Sequence, residues 1–99
     1  MSLDIRWIDP RELRLPPSRP TGADPAKLAR QIAKFGASTA GMPPLIVYEG
    51  LDAFFVVYNG VTRATRIAKL LPGTLIEVEV AGKLSRRFKN DPTIADFLP

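Results

Sequence analysis

Residues 54–71 change from a strand pattern to a helix pattern across a single tight turn. A run of apolar and aromatic residues precedes the pair Asn59-Gly60, and apolar positions then recur at helical spacing. The first turn of a helix has backbone N–H groups without partners and carries a partial positive charge. Because Thr62 and Arg63 lie in that turn, the junction predicts an anion-binding site, and a phosphate suits it best.

The composition indicates one domain. A chain of 99 residues with 45% hydrophobic residues can bury a core but has no room for a second domain. No segment approaches the ~18 consecutive apolar residues of a membrane span. Residues 1–4 lack the basic start and the apolar stretch of a secretory signal. We therefore expect a cytoplasmic protein with no membrane partner.

The absence of cysteine and histidine restricts the chemistry. It excludes disulfides, thiolate nucleophiles, imidazole bases and the zinc sites that use these ligands. Any catalysis would use carboxylates, lysine, serine, threonine or bound Mg²⁺, and no carboxylate spacing predicts a metal site. The net charge of +4 is compatible with an anionic partner, although many proteins without one share it.

The first half of the chain predicts one strand and one helix. Residues 4–8 alternate as a strand does, and Trp7 within them is expected in the core. A proline-rich loop follows over 15–23. Asp24-Pro25 then starts a helix that runs to about Phe35.

The second half predicts a hairpin, a helix and a strand. The hairpin covers 45–58, and the helix runs from near Gly60 to the stop at Pro72-Gly73. Residues 75–80 alternate strictly, which indicates a half-exposed strand that we place at a sheet edge. We expect residues 1–82 to form the domain. Residues 83–99 form a basic extension packed on it, with a short helix over 91–98.

This order of elements resembles the ParB/sulfiredoxin superfamily over roughly residues 4–80. The matching positions are Leu28-Ala29-x-Gln31-Ile32, Gly36, Pro43-Pro44-Leu45-Ile46-Val47 and Val56-Val57-Tyr58-Asn59-Gly60-x-x-Arg63-x-x-x-x-Ala68. The resemblance implies an α+β fold with a small mixed sheet, two flanking helices and a turn that grips nucleotide phosphates at the start of the second helix.

The chain departs from the family at the reactive positions. Sulfiredoxins have a cysteine and a histidine just before the arginine, where this chain has Val61-Thr62, so reduction of a cysteine sulfinic acid by that route is excluded. The partition proteins have a Gly-Glu-Arg-Arg box tied to cytidine triphosphate turnover, and its glutamate is Val61 here. The sequence also ends before any helix-turn-helix pattern, so sequence-specific DNA reading by this chain alone is not expected.

Four residues of the second helix form the predicted phosphate site. Gly60 lets the backbone approach the ligand, Thr62 donates its hydroxyl, and Arg63 offers a planar fork to two phosphate oxygens. Arg66, one turn on, is expected to reach a second phosphate. The alternative is that Gly60 only permits the turn and that Arg63 is only solvated.

Two loops contribute further candidates. Arg19 lies in the proline-rich loop, where related proteins often have a Pro-Arg element near the nucleotide, but such a loop also tolerates arginine for solubility alone. Thr39 and Gly41 lie in the loop before the hairpin and are candidates to cover a base or ribose. They equally suit a simple connection between two elements.

The C-terminal extension contains a separate basic cluster. Lys83, Arg86, Arg87 and Lys89 surround an aromatic residue, which is typical of a segment that contacts a nucleic-acid backbone. Most such runs are solvated surfaces.

The sequence therefore favours a domain that binds a nucleotide, with or without Mg²⁺, or another phosphorylated ligand. It leaves open whether the chain is an enzyme. One alternative is a DNA- or RNA-binding protein or a ParB-like nuclease. Another is a protein–protein interaction module, such as an accessory or immunity factor.

Overall fold

The computed structural model describes residues 3–99, so Met1 and Ser2, with which the predicted domain begins, lie outside the described residues. Within this range the chain is a small α+β domain with a mixed sheet and two α-helices, which confirms the expected class. The elements are β1 (Ile5–Ile8), α1 (Pro25–Phe35), β2 (Leu45–Glu49), β3 (Phe55–Asn59), α2 (Val61–Leu70) and β4 (Ile76–Lys83), with short 3₁₀ turns at Pro10–Glu12 and Ala95–Phe97. None of the helices in residues 3–99 has the length and apolarity needed to span a bilayer.

The strand order in the sheet is β1-β4-β2-β3. β2 and β3 form the predicted antiparallel hairpin, β4 pairs with β1 antiparallel, and β2 pairs with β4 in parallel. The prediction that β4 lies at the sheet edge is wrong, because it has a partner on each side. Alternation along a strand shows which face is buried, but it does not show how many neighbours the strand has.

The core lies between the sheet and α2. The helix buries Ala64, Ile67 and Ala68, as its apolar spacing predicted. Leu45 and Val78, from the paired strands β2 and β4, are fully buried in the same cluster. The start of α2 is thus fixed against the centre of the sheet.

Trp7 is not in the core, and that prediction is wrong. Its side chain is 61% exposed on the edge strand β1, and only Ile8 in this strand packs against the core. β1 is four residues long and has a partner along one edge only, so an aromatic residue within it remains open to solvent.

An extended segment at 13–15 joins the C-terminal residues to the sheet. The Arg14 N–H donates to the Phe55 carbonyl at 2.9 Å, and the Ile94 N–H donates to the Leu13 carbonyl at 2.9 Å. The predicted helix over 91–98 is therefore replaced by a single 3₁₀ turn, because Thr93 bridges to Arg14 in extended geometry. This pairing holds the C-terminal extension on the domain.

Candidate phosphate-binding site

The turn before α2 requires glycine. Gly60 has φ +116° and ψ 20°, a left-handed conformation that residues with a side chain rarely adopt. A Cβ atom here would lie 2.6 Å from Leu45 Cγ and 3.1 Å from Arg63 Nη2. The missing side chain therefore allows both the sharp turn and the close approach of the arginine.

The first backbone N–H groups of α2 have no acceptor within residues 3–99. The Ala64 N–H donates to the Gly60 carbonyl at 2.9 Å, which is the first hydrogen bond of the helix. Within residues 3–99, no side chain caps the N-terminus of α2. The N–H groups of Val61, Thr62 and Arg63 precede that bond. They supply three donors and the positive end of the helix dipole.

A cavity of about 340 Å³ opens at this turn, and we call it the α2 cavity. It brings together four of the predicted site residues, Gly60, Thr62, Arg63 and Arg19. The complete lining is Pro16, Ser18, Arg19, Lys27, Gln31, Tyr58, Asn59, Gly60, Val61, Thr62 and Arg63.

The electrostatics of the α2 cavity favour an anion. Arg19, Lys27 and Arg63 line it, and no carboxylate does so in the described part of the chain. Arg63 Nη1 donates to the Pro43 carbonyl at 2.9 Å, which leaves its other N–H groups without a protein acceptor in this range. Burial lowers the pKa of the Arg63 guanidinium, although arginine remains charged at physiological pH. A desolvated cation without a counterion gains most from a bound anion.

Asp24, an acidic residue whose charge interacts with Lys27 and Arg19 of the cavity lining, is engaged by the backbone of α1. Asp24 caps α1, and its Oδ1 accepts from the Ala26 N–H at 2.8 Å and the Lys27 N–H at 3.3 Å. These N–H donors, first that of Lys27 and then that of Ala26, lower the pKa of the Asp24 carboxyl, and the nearby charges of Lys27 and Arg19 add smaller effects. The Asp24 carboxylate therefore stabilises the helix start.

Arg66, predicted to reach a second phosphate, lies outside the α2 cavity. Only 2% of this residue is exposed, and Nη1 donates to the carbonyls of Gly36 and Ser38, each at 2.8 Å. Its guanidinium also lies over the ring of Phe35 at 5.3 Å from the centroid. In this position Arg66 holds the loop between α1 and β2 against α2.

Thr39 and Gly41 also lie away from the α2 cavity. Thr39 lines a separate cavity of about 100 Å³ beside Trp7, and Gly41 lines one of about 80 Å³ beside Arg66. Within residues 3–99, their loop is joined to the site by the Pro43 carbonyl, which accepts a hydrogen bond from Arg63 Nη1.

The C-terminal basic cluster is likewise remote from the α2 cavity. Lys83 ends β4, Arg87 and Lys89 are exposed, and Arg86 Nη2 donates to the Asp91 carboxylate at 2.7 and 3.0 Å. Phe88, which these cations surround, is buried in the domain with 1% exposure.

The sequence did not point to Lys27, Gln31 and Tyr58 as site residues. Lys27 and Gln31 face the cavity from α1, and Tyr58 faces it from the end of β3. The signal for Tyr58 was its place directly before Asn59-Gly60. The position of Lys27 depends on how α1 docks, which its own sequence does not encode.

Comparison with protein-family models finds no match to the chain, and comparison with curated proteins also finds no match. The functional assignment is therefore built from the geometry of the α2 cavity.

Proposed function

We propose that the chain binds a small phosphorylated ligand, most suitably a nucleotide, in the α2 cavity. One observation carries the proposal: Val61, Thr62 and Arg63, whose N–H groups have no acceptor within residues 3–99, line one cavity, and the Arg63 guanidinium there is partly desolvated. Arg19 and Lys27 add two further cations to the lining. Backbone N–H groups at a helix start together with an arginine fork are a strong phosphate-binding combination.

The size of the cavity supports a small ligand. Its volume of about 340 Å³ lies at the lower end of the ~300–1,000 Å³ range of ligand pockets. Tyr58 at its rim is 69% exposed and offers an aromatic face on which a base can stack. A nucleotide would therefore place its phosphates at the N–H groups of α2 and its base toward Tyr58.

The chain's own residues have distinct roles in this proposal. Gly60 allows the phosphate to approach the backbone, Thr62 donates its hydroxyl, and Arg63 pairs with phosphate oxygens while its bond to Pro43 fixes its direction. The proposal concerns binding and includes no chemical step. The Gly60-x-x-Arg63 order also supports a fold of the ParB/sulfiredoxin type, which we propose for the domain.

Calorimetric titration tests this function. ATP, CTP and ADP are each titrated into the wild-type chain and into Arg63→Ala, with and without Mg²⁺. We expect Arg63→Ala to weaken the binding of the preferred nucleotide by about 10–100-fold, because it removes a charge-assisted pair of hydrogen bonds.

Two controls make the titration specific. Arg87→Ala removes the same charge from an exposed residue outside the cavity and should bind as the wild type does. Arg63→Lys keeps the charge but loses the fork, so its affinity should fall between those of the wild type and Arg63→Ala. If no nucleotide binds the wild type, the proposal is wrong. Salt-dependent binding of DNA or RNA would then favour the nucleic-acid alternative, and silence toward both would leave the protein–protein alternative.

A further inference from the structure

A second depression, which runs along α1, adjoins the α2 cavity. This depression, which we call the α1 groove, has a volume of about 320 Å³. Its lining is Lys27, Arg30, Gln31, Lys34, Phe35 and Thr62. Lys27, Gln31 and Thr62 line both spaces, so the cavity and the groove adjoin and share a wall.

The charge of the combined surface has one sign. Five cationic residues line it, and no carboxylate lines either space within residues 3–99. The five are Arg19, Lys27, Arg30, Lys34 and Arg63. In the same described range the arginines that form ion pairs are Arg6, Arg11 and Arg86, which all lie elsewhere. None of the five cations of this surface forms an ion pair in that range, and the Asp24 carboxylate near Lys27 and Arg19 is engaged in capping α1.

The spacing of these cations suits a chain of phosphates. Lys27, Arg30 and Lys34 are at i, i+3 and i+7 on α1, so they follow one face of the helix over roughly 10 Å. One stacked nucleic-acid strand places about three phosphates along that length, at ~3.4 Å per phosphate.

Exposed aromatic rings lie in both spaces. Tyr58, in the α2 cavity, is 69% exposed, and Phe35, in the α1 groove, is 46% exposed. Lys34 Nζ and the Arg66 guanidinium lie 5.2 and 5.3 Å from the centroid of the Phe35 ring, so cations and a partly exposed aromatic ring occur together. Surfaces that bind single-stranded nucleic acids combine a basic groove with aromatic rings on which bases stack.

We propose that the α2 cavity and the α1 groove together bind a short single-stranded segment of nucleic acid. One phosphate accepts hydrogen bonds from the first N–H groups of α2, and the following phosphates contact Lys27, Arg30 and Lys34. This inference rests on the proposed function, because the first phosphate uses the same site. An acidic peptide would match the charge, but it would leave the two aromatic rings without bases to stack on them.

Fluorescence anisotropy with a labelled octathymidylate tests the inference. Arg30→Gln/Lys34→Gln neutralises the groove, and Arg87→Gln/Lys89→Gln removes the same charge from the C-terminal extension. All four side chains are exposed and make no side-chain hydrogen bond within the described residues, so both variants should fold, which circular dichroism verifies. We expect the groove variant to bind about 10-fold more weakly and the matched control to stay within about twofold.

The salt dependence adds a second readout. The plot of log affinity against log salt should be less steep by about 1.4 for the groove variant, since two phosphate contacts are lost at ~0.7 each. Competition with thymidylate should show that the octamer binds at least about 10-fold more tightly than the monomer.

The remaining outcomes separate this inference from the proposed function. If thymidylate and the octamer bind equally and the groove variant matches the wild type, the inference is wrong and the small-ligand function stands. If only the extension variant loses binding, the nucleic acid lies on the C-terminal cluster and the inference is also wrong. Tighter binding of octaglutamate than of the octamer overturns it in favour of an acidic peptide. If neither thymidylate nor the octamer binds, the proposed function is wrong, and this inference is wrong with it.

Discussion

The start of α2 and the C-terminal extension are both basic, but they differ in whether their backbone N–H groups have an acceptor within the described chain. In the extension, the N–H groups of Phe88 and Lys89 donate to the Asp52 carboxylate at 2.9–3.2 Å. At the start of α2, the N–H groups of residues 61–63 have no acceptor within the described chain. One region thus supplies its own anion, and the other is open to an external one.

The same contrast holds for the cations. Arg86 in the extension is paired with Asp91 and lies over the Phe88 ring at 4.8 Å. Within residues 3–99, Arg63 at α2 has only a backbone carbonyl as a hydrogen-bond partner. Basic residues alone therefore do not identify a binding site. The distinguishing feature is whether the fold brings a carboxylate to them.

The largest expected effect comes from Arg14, whose buried guanidinium holds the extension. It donates to the carbonyls of Phe88 at 3.0 Å, Lys89 at 3.2 Å and Glu12 at 2.7 Å. Arg14→Ala should lower the free energy of unfolding by about 3 kcal/mol, because it leaves these carbonyls without their charged donor. Urea denaturation measures this change.

Arg87→Ala is the matched control, and as an exposed surface change it should shift the free energy of unfolding by less than about 0.5 kcal/mol. Equal stability of the two variants would mean that the Arg14 side chain does not hold the extension on the domain. The contrast between the extension, which is bonded to the domain, and the start of α2, which is open to a ligand, would then lose its support.

A smaller loss of stability is expected for Gly60→Ala, at about 2 kcal/mol. The variant forces a left-handed φ on alanine and places a Cβ against Leu45, which is fully buried. Gly73→Ala separates the two causes, because Gly73 has φ +89° but open space around it, and it should lose only about 1 kcal/mol. Thermal denaturation measures both variants. If they are equally stable, the close contact at Gly60 does not constrain the site.

The smallest effect concerns the pH dependence contributed by Asp52. Burial raises the pKa of this carboxyl, but the backbone N–H donors of Phe88, Lys89, Phe54 and Asp52 itself together outweigh it, so the pKa of Asp52 is lowered in the folded chain. The resulting stability is complete above the unfolded pKa of about 3.9 and is lost as the pH falls through the lowered folded value.

Asp52→Asn should therefore be less stable than the wild type at neutral pH, and this difference should shrink in acid. Urea midpoints at neutral and acidic pH measure it. A difference that stays constant with pH would show that the Asp52 charge does not hold the extension.

Features that depend on neighbouring residues could be predicted from the sequence. Asp24 caps α1, the helix ends at Phe35, and the hairpin pairs as expected. The apolar stripe of α2 packs on the sheet. In each case the signal lies within one or two turns of chain, where capping and periodicity act.

Features that depend on distant partners could not be predicted. β4 occupies an inner position because β1 and β2 both pair with it. Trp7 is exposed on the edge strand β1, and the sequence of β1 does not indicate that this strand lies at the edge. Arg66 is buried because the carbonyls of Gly36 and Ser38 come from another loop. Its spacing from Arg63 gave no sign of those acceptors.

The candidate site shows both cases. Gly60, Thr62 and Arg63 follow one another in the chain, so their convergence could be foreseen. Arg19 joins them in the cavity as expected, but Lys27 and Tyr58 enter it through the docking of α1 and the end of β3. For the candidate site, the sequence therefore indicated Gly60, Thr62 and Arg63 from one stretch of chain and Arg19 through the family resemblance, but it did not indicate Lys27, which depends on how α1 docks.

An NMR titration of the backbone N–H groups with ADP tests the central claim most directly. The account predicts that the largest chemical-shift changes occur at the N–H groups of Val61, Thr62 and Arg63, since these donors have no acceptor among the described residues. Phe88 and Lys89, whose donors are occupied by Asp52, should change little. Largest changes at Phe88 and Lys89, with residues 61–63 unmoved, would contradict it.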